Sequence, residues 1–307
     1  MPWLRLIRFP NLLIIGLCQC LAAECFLWPA IRSAGLTPEL DPAEQGGLAG
    51  ATLFLAGAGY AYNDLRDLPA DRVNRPDRPL PAGRIQQRAA GRGIVVLLTL
   101  SILTAVGTAA HTGQWNQLWM LPVAIATLFI YSAGFKNAGL AANGLIALFC
   151  AAAVALPAWA ERRNLERLSL AEYPHFWILL SAFVAFAFLL TLFRELIKDL
   201  EDMEGDRVQG HRSFPLRRGA PAARRLGASL GLIGLLGLIP VWTAMHDTLP
   251  AFPWVMGGIV LISPLGVATV WLLRAKSKRE YYQLSQFVKA AMLLGIAALS
   301  FFAIRTL

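Results

Sequence analysis

Residues 176–208 read FWILLSAFVAFAFLLTLFRELIKDLEDMEGDRV. The run near 175–197 is almost wholly apolar, long enough to cross the roughly 30 Å hydrocarbon core of a bilayer as a helix. It ends in a cluster of carboxylates: Lys198-Asp199-Leu200-Glu201-Asp202-Met203-Glu204-Gly205-Asp206-Arg207-Val208. The same pattern closes an earlier apolar run, as Asn63-Asp64-Leu65-Arg66-Asp67-Leu68-Pro69-Ala70-Asp71-Arg72-Val73. Both copies read D-L-x-D-x-x-x-D-R-V, 135 residues apart. A second shared pattern, P-L-x-x-G, follows each copy at Pro79–Gly83 and Pro215–Gly219.

The rest of the chain has the same character. Of 307 residues, 56% are hydrophobic and 15% charged, whereas a soluble domain carries about 25% charged residues. Mean hydropathy is +0.53. Nine apolar runs of spanning length lie near 11–31, 46–62, 93–110, 117–135, 138–160, 175–197, 226–245, 252–273 and 284–304. The expected fold is all-α: a polytopic membrane protein with nine transmembrane helices around a central chamber. The doubled motifs close the second and sixth runs. This predicts one domain over 1–307, with two four-helix halves at about 1–136 and 137–274 and a ninth helix at about 284–304. Duplicated membrane folds place their sites between the halves.

Charge sets the expected orientation. Loops on one side carry 22 Lys and Arg, against 5 on the other. The positive-inside rule puts the N-terminus and both acidic loops in the cytoplasm. The net charge of +9 is thereby accounted for by topology, without a nucleic-acid partner; the partners expected are membrane lipids. Trp28, Trp115, Trp119, Trp159, Trp177, Trp242 and Trp254 fall near the opposite span ends and read as an interfacial aromatic belt. Cys18, Cys20, Cys25 and Cys150 lie inside apolar runs, without zinc-type spacing, and read as small buried residues.

The carboxylates carry the chemistry. At 100° per helical residue, Asp199, Asp202 and Asp206 share one narrow face. Asp64, Asp67 and Asp71 have the same spacing, although Pro69 disfavours helix at Leu68. Carboxylates on one face repel one another unless a cation lies between them. Oxygen-only donors select hard ions, and Mg²⁺ is usually held by one or two carboxylates plus substrate phosphates. Two such faces make a clamp for a diphosphate. Arg72, Arg75, Arg78, Arg194, Lys198, Arg207 and Arg212 are candidates for the remaining phosphate oxygens. A diphosphate head with a lipid tail follows as the substrate class. Ionisation inside a water-poor chamber leaves an allylic carbocation for an acceptor to trap.

Three further polar residues stay open at this level. Asn11 suits either the chamber or a helix N-cap. Lys289, in the last run, faces either the chamber or another helix. Glu24 is a functional candidate or an interfacial snorkelling acid.

Asn63-Asp-x-x-Asp67-x-x-x-Asp71, followed by Arg72-x-Asn74-Arg75-Pro76-x-Arg78-Pro79-Leu80-Pro81-x-Gly83, resembles the first signature of the UbiA-type intramembrane prenyltransferases. Arg194-Glu195-x-x-Lys198-Asp199-x-x-Asp202-x-Glu204-Gly205-Asp206 resembles the second, and Tyr131, Lys136 and Asn143 resemble the central stretch. The resemblance implies two Mg²⁺ ions, held by Asn63 with Asp67 and by Asp202 with Asp206. It implies that Asp64, Asp71 and Asp199 complete a polar cap or help deprotonate the acceptor. Lys136, Arg72 and Lys198 would hold the diphosphate. The implied reaction is transfer of a prenyl group from a polyprenyl diphosphate, such as geranylgeranyl diphosphate, to a membrane-associated acceptor with release of pyrophosphate. The second motif is most similar to the branch that prenylates geranylgeranylglyceryl phosphate. An aromatic acceptor (homogentisate, a hydroxybenzoate or dihydroxynaphthoate) is the alternative. A transporter is the competing class, but its polar site belongs near the bilayer midplane and these carboxylates lie at a rim. A non-catalytic lipid-binding protein would tolerate Asp67→Ala or Asp202→Ala.

Overall fold

Long apolar runs dictate long helices, because a backbone in lipid must satisfy its own polar groups. The computed structural model describes residues 1–208, 210–244, 246 and 250–306; the side chains of Ala70, Val73, Asn74, Lys136, Val208 and Thr306 lie outside the description. Every element is a helix: α1 (Pro2–Leu6), α2 (Phe9–Leu21), α3 (Trp28–Ser33), α4 (Pro42–Arg66), α5 (Leu68–Asn74), α6 (Gln87–Thr112) and α7 (Met120–Ala133). Then follow α8 (Leu140–Ala160), α9 (Arg162–Leu165), α10 (Pro174–Val208), α11 (Phe214–Arg218), α12 (Ala220–Ala244), α13 (Ala251–Arg274) and α14 (Lys278–Thr306). A π-helical turn, Ala22–Leu27, joins α2 to α3.

Eight spans, with α2 and α3 counted as one, are long and apolar enough to cross a membrane among the described residues. The chain is a multi-pass integral membrane protein. The expected span at 46–62 lies inside α4, which has 25 residues but is not one of the eight. Five glycines together with Glu44, Gln45, Asn63 and Asp64 dilute its apolar character. A capping box starts α4: Glu44 N–H donates to Asp41 Oδ1 at 2.8 Å, and Asp41 N–H donates to Glu44 Oε2 at 2.7 Å.

α10 organises the bundle. Its 35 residues reach about 52 Å by helical rise, and it packs against α8, α12 and α14. α4 packs against α2 and α6. Exposed apolar side chains such as Val95, Val96 and Leu103 are what a lipid-facing surface requires. Polar side chains tie helices together inside the apolar layer. Gln19, fully buried, donates from Nε2 to Ala153 O at 2.7 Å and to Thr52 Oγ1 at 3.2 Å. Small residues permit close approach: Gly227, Gly231 and Gly234 of α12 lie against Leu272, Thr269 and Leu265 of α13.

Three further expectations change: Cys20 is exposed rather than buried, and two others concern Trp28 and the first acidic motif. Trp28 is 2% exposed and packs with Phe176 and Leu180 in a core cluster, so it does not belong to an interfacial belt. Trp115, Trp119 and Trp159 are exposed. The first acidic motif is also broken. α4 ends at Arg66, Asp67 caps it, and α5 begins with Pro69 in its first turn. Proline fits there because a first-turn N–H has no intrahelical partner. Asp64, Asp67 and Asp71 therefore do not share one continuous helix. The second motif stays inside α10 through Val208, and Gly205 does not interrupt it.

Candidate active site

The junction between α4 and α5 turns the first motif toward the second, because α5 packs against α10. Both motifs line a single cavity of about 1130 Å³. Asn63, Asp64, Asp67 and Asp71 form one wall, and Asp199, Asp202 and Asp206 form the other. Tyr131, Asn143, Arg75, Arg78, Arg194, Lys198 and Asn11 also reach this cavity. Arg72 and Arg207 do not line it, and both are exposed. The Lys136 side chain lies outside the described residues.

Arginine guanidinium groups balance the buried carboxylates. Asp64, whose side chain is 4% exposed, accepts from Arg8 Nη2 at 2.8 Å and from Arg78 Nη1 at 3.2 Å. Arg78 Nη1 also donates to Asp71 Oδ2 at 2.6 Å, which rejoins the two carboxylates that the helix break separates. Burial pushes the Asp71 carboxyl above the ordinary aspartate range, and the Arg78 charge offsets part of that shift. Arg75 crosses the cavity, with Nη2 donating to Asp202 Oδ1 at 2.9 Å and Oδ2 at 2.7 Å. Burial alone would lower the Arg75 pKa, but Asp202 and Glu201 raise it overall.

The remaining carboxylates have other partners. Asp199 Oδ2 accepts from the Asn143 amide at 2.7 Å. Asn63 Nδ2 donates to Asp67 Oδ2 at 3.0 Å. His211 Nδ1 lies 3.3 Å from Asp206 Oδ1. Lys198 Nζ donates to both oxygens of Glu195, at 2.9 and 2.8 Å. Asn11 does not cap α2, since Arg8 occupies that position. Its Oδ1 accepts from Lys289 Nζ at 2.7 Å, and both residues line the cavity.

Arg8 and Tyr60 are the site residues that motif reading passes over, and Glu195 stands in the second signature without a role assigned from sequence. Arg8 takes the left-handed conformation at φ 51°, which costs a non-glycine residue about 1 kcal/mol. Its guanidinium lies 4.9 Å from the Tyr60 ring centroid while holding Asp64. In sequence it looks like any basic residue beside a span.

The donor set fits Mg²⁺. The first wall offers carboxylate and amide oxygens and the second carboxylate oxygens, the hard donors this ion takes. Among the described residues no three His, Cys, Asp or Glu side chains converge into a ready cage. A site completed by substrate phosphates has no such cage. Among the described residues, eight carboxylates and seven Lys or Arg side chains line the cavity. A divalent cation and a diphosphate entering together disturb that balance far less than either alone.

The polar wall gives way to apolar lining at Ile14, Ile15, Leu128, Ile146, Phe149 and Met292. A second cavity of about 130 Å³, lined almost wholly by apolar side chains, shares Ile14, Ile15, Cys150, Ala153, Thr191 and Met292 with the first. A charged mouth thus continues into a greasy interior.

Comparison with known proteins agrees with this arrangement. Residues 26–301 match the UbiA prenyltransferase family. The digeranylgeranylglyceryl phosphate synthase of Methanopyrus kandleri is 32% identical over 258 residues, covering 81% of this chain and 83% of that protein. The apo structure of a UbiA homologue from Aeropyrum pernix K1 superposes with TM-score 0.62 at 20% identity, over 91% of this chain and 95% of its own. A UbiA homologue from Archaeoglobus fulgidus, solved with GPP and Mg²⁺, gives TM-score 0.54 at 17% identity over 98% of this chain and 100% of its own. The chain belongs to the UbiA prenyltransferase family.

Proposed function

We propose that this protein transfers a prenyl group from a polyprenyl diphosphate, with geranylgeranyl diphosphate as the assigned donor, to a hydroxyl of geranylgeranylglyceryl phosphate or a similar ether-lipid precursor. The observation that carries the reading is the meeting of both acidic motifs on one cavity, charged at its mouth and apolar inside. The relatives named for this glyceryl-phosphate reaction support the acceptor class. The two motifs belong to equivalent helices of two duplicated halves, and their loops and the N-terminus face the cytoplasm.

Asn63 with Asp67, and Asp202 with Asp206, are the residues that would hold Mg²⁺. Bound there, the metal supplies charge neutralisation for the departing diphosphate. Arg75, Arg78 and Lys198 bind the remaining phosphate oxygens. The bond between the prenyl C1 and the diphosphate oxygen breaks, and its electron pair leaves with pyrophosphate. The acceptor hydroxyl oxygen bonds to C1 and its proton goes to a nearby carboxylate. We assign that role to Asp199, because it is hydrogen-bonded to the neutral Asn143 amide rather than to an arginine. Asp64 and Asp71 hold Arg8 and Arg78 in place. Tyr131 lines the wall where the cation forms.

The test is an acceptor panel. Purified protein with geranylgeranyl diphosphate and Mg²⁺ is offered glyceryl-phosphate lipids and aromatic acids, and products are read by mass spectrometry. Prenylated glyceryl phosphate is expected. Prenylated aromatic product alone would overturn the acceptor assignment.

A further inference from the structure

The cavity holds more cationic machinery than a single diphosphate clamp uses. Lys289 projects into it from α14, eleven residues beyond the first residue of that helix. Among the described residues it donates to a neutral acceptor, Asn11 Oδ1, at 2.7 Å. No carboxylate pairs with it among the described residues, and the charge that bears on it is another cation, Arg194. Arg194 reaches Glu195 Oε1 only at 3.6 Å, and Lys198 already occupies both oxygens of that glutamate. The Arg194 Nε is buried with no hydrogen-bond partner among the described residues. A buried guanidinium N–H without an acceptor bears its desolvation penalty uncompensated. Two neighbouring cations in a membrane-embedded cavity, one with a vacant buried donor, repel each other until an anion lies between them.

Arg194 lies five residues before Asp199 on α10, about 7.5 Å deeper by helical rise. Arg75 and Arg78 already pair with the aspartate walls, and Lys198 with Glu195. An aromatic acceptor without a phosphate has no need of a third set of cations. A glyceryl phosphate does, because its phosphate stands only a short glycerol arm from the hydroxyl that reacts.

We propose that Lys289 and Arg194, with Asn11 orienting the lysine, form a separate anion subsite that binds the phosphate of the acceptor and so selects a phosphorylated lipid over its alcohol. This rests on the glyceryl-phosphate reading of the preceding section. The subsite sets the register of the acceptor: with its phosphate fixed there, the reacting hydroxyl is turned toward Asp199 and the prenyl C1. Lys289 acts through charge-assisted hydrogen bonds to phosphate oxygens, not through the breaking bond.

The test compares geranylgeranylglyceryl phosphate with its dephosphorylated alcohol as acceptors, geranylgeranyl diphosphate being the donor, in wild type, Lys289→Gln and Lys289→Arg. Lys289→Gln should lower kcat/KM for the phosphorylated acceptor about tenfold or more. It should leave kcat/KM for the alcohol and the donor KM unchanged, and Lys289→Arg should recover most of the loss. The activity on the alcohol also shows that the variant is folded. An equal fall for both acceptors, a rise in donor KM, or no fall at all would overturn the subsite. Wild-type protein that prenylates only aromatic acceptors would instead overturn the acceptor reading, and the subsite with it.

Discussion

Arg75, from the first acidic motif's downstream loop, donates to both carboxylate oxygens of Asp202 in the second motif, at 2.9 and 2.7 Å. The two residues are 127 positions apart and lie on opposite walls of the cavity. The pair ties the walls together and places a fixed positive charge between them. In the proposed reaction, this guanidinium exchanges Asp202 for phosphate oxygen when the diphosphate and its metal arrive. Arg75→Ala should therefore raise the donor KM about tenfold at saturating Mg²⁺, read from initial rates. An unchanged donor KM would remove Arg75 from the diphosphate site.

Asp64 tests the buried charge cluster. It is the shared partner of Arg8 and Arg78, and its side chain is 4% exposed. Asp64→Ala leaves both guanidinium groups without that acceptor, which for a buried pair costs about 3 kcal/mol. Thermal unfolding in detergent should show a clear loss of stability alongside a loss of activity. A variant as stable as wild type would mean that the arginines reorient into solvent at little cost.

Packing between α12 and α13 gives a prediction remote from the chemistry. Gly231 faces the Thr269 side chain with no room for a β-carbon. Gly231→Leu should destabilise the bundle by about 1–3 kcal/mol through overpacking, while donor and acceptor KM stay at wild-type values in protein that remains folded. A neutral effect on unfolding would show that the two helices separate freely.

Glu161 is a buried carboxylate with a structural task. It is 1% exposed and accepts from the backbone N–H groups of Glu39 and Leu40, at 2.9 and 3.1 Å, and from the Asn164 amide at 2.8 Å. Glu161→Ala strands those donors, at about 1–3 kcal/mol for each group left buried. The loop before α4 should then become sensitive to protease under conditions where wild type is not. Equal protease resistance would contradict the clamp.

The spans and motifs were legible because both are local. Apolar length alone located the helices to within about six residues at either end, apart from the end of α10. That helix runs eleven residues past its apolar stretch, because nothing from Lys198 to Val208 breaks a helix strongly. Pro69 announced a disturbance in the first motif, and the break fell two residues earlier, at Asp67. The partners of the carboxylates were not legible. Arg8 with Asp64 and Arg75 with Asp202 pair residues 56 and 127 positions apart, and only helix packing decides which guanidinium meets which carboxylate. Trp28 was misread for a related reason: its place near a span end suits an interface, but Phe176 and Leu180 bury it.

Pyrophosphate release bears most directly on the two-walled clamp. Purified protein is given geranylgeranyl diphosphate and geranylgeranylglyceryl phosphate, with and without Mg²⁺, as wild type, Asp67→Ala and Asp202→Ala. Release should require both metal and acceptor, and each substitution should lower the rate by about a hundredfold or more. Release that proceeds without a divalent metal, or that survives both substitutions at the wild-type rate, would contradict the clamp.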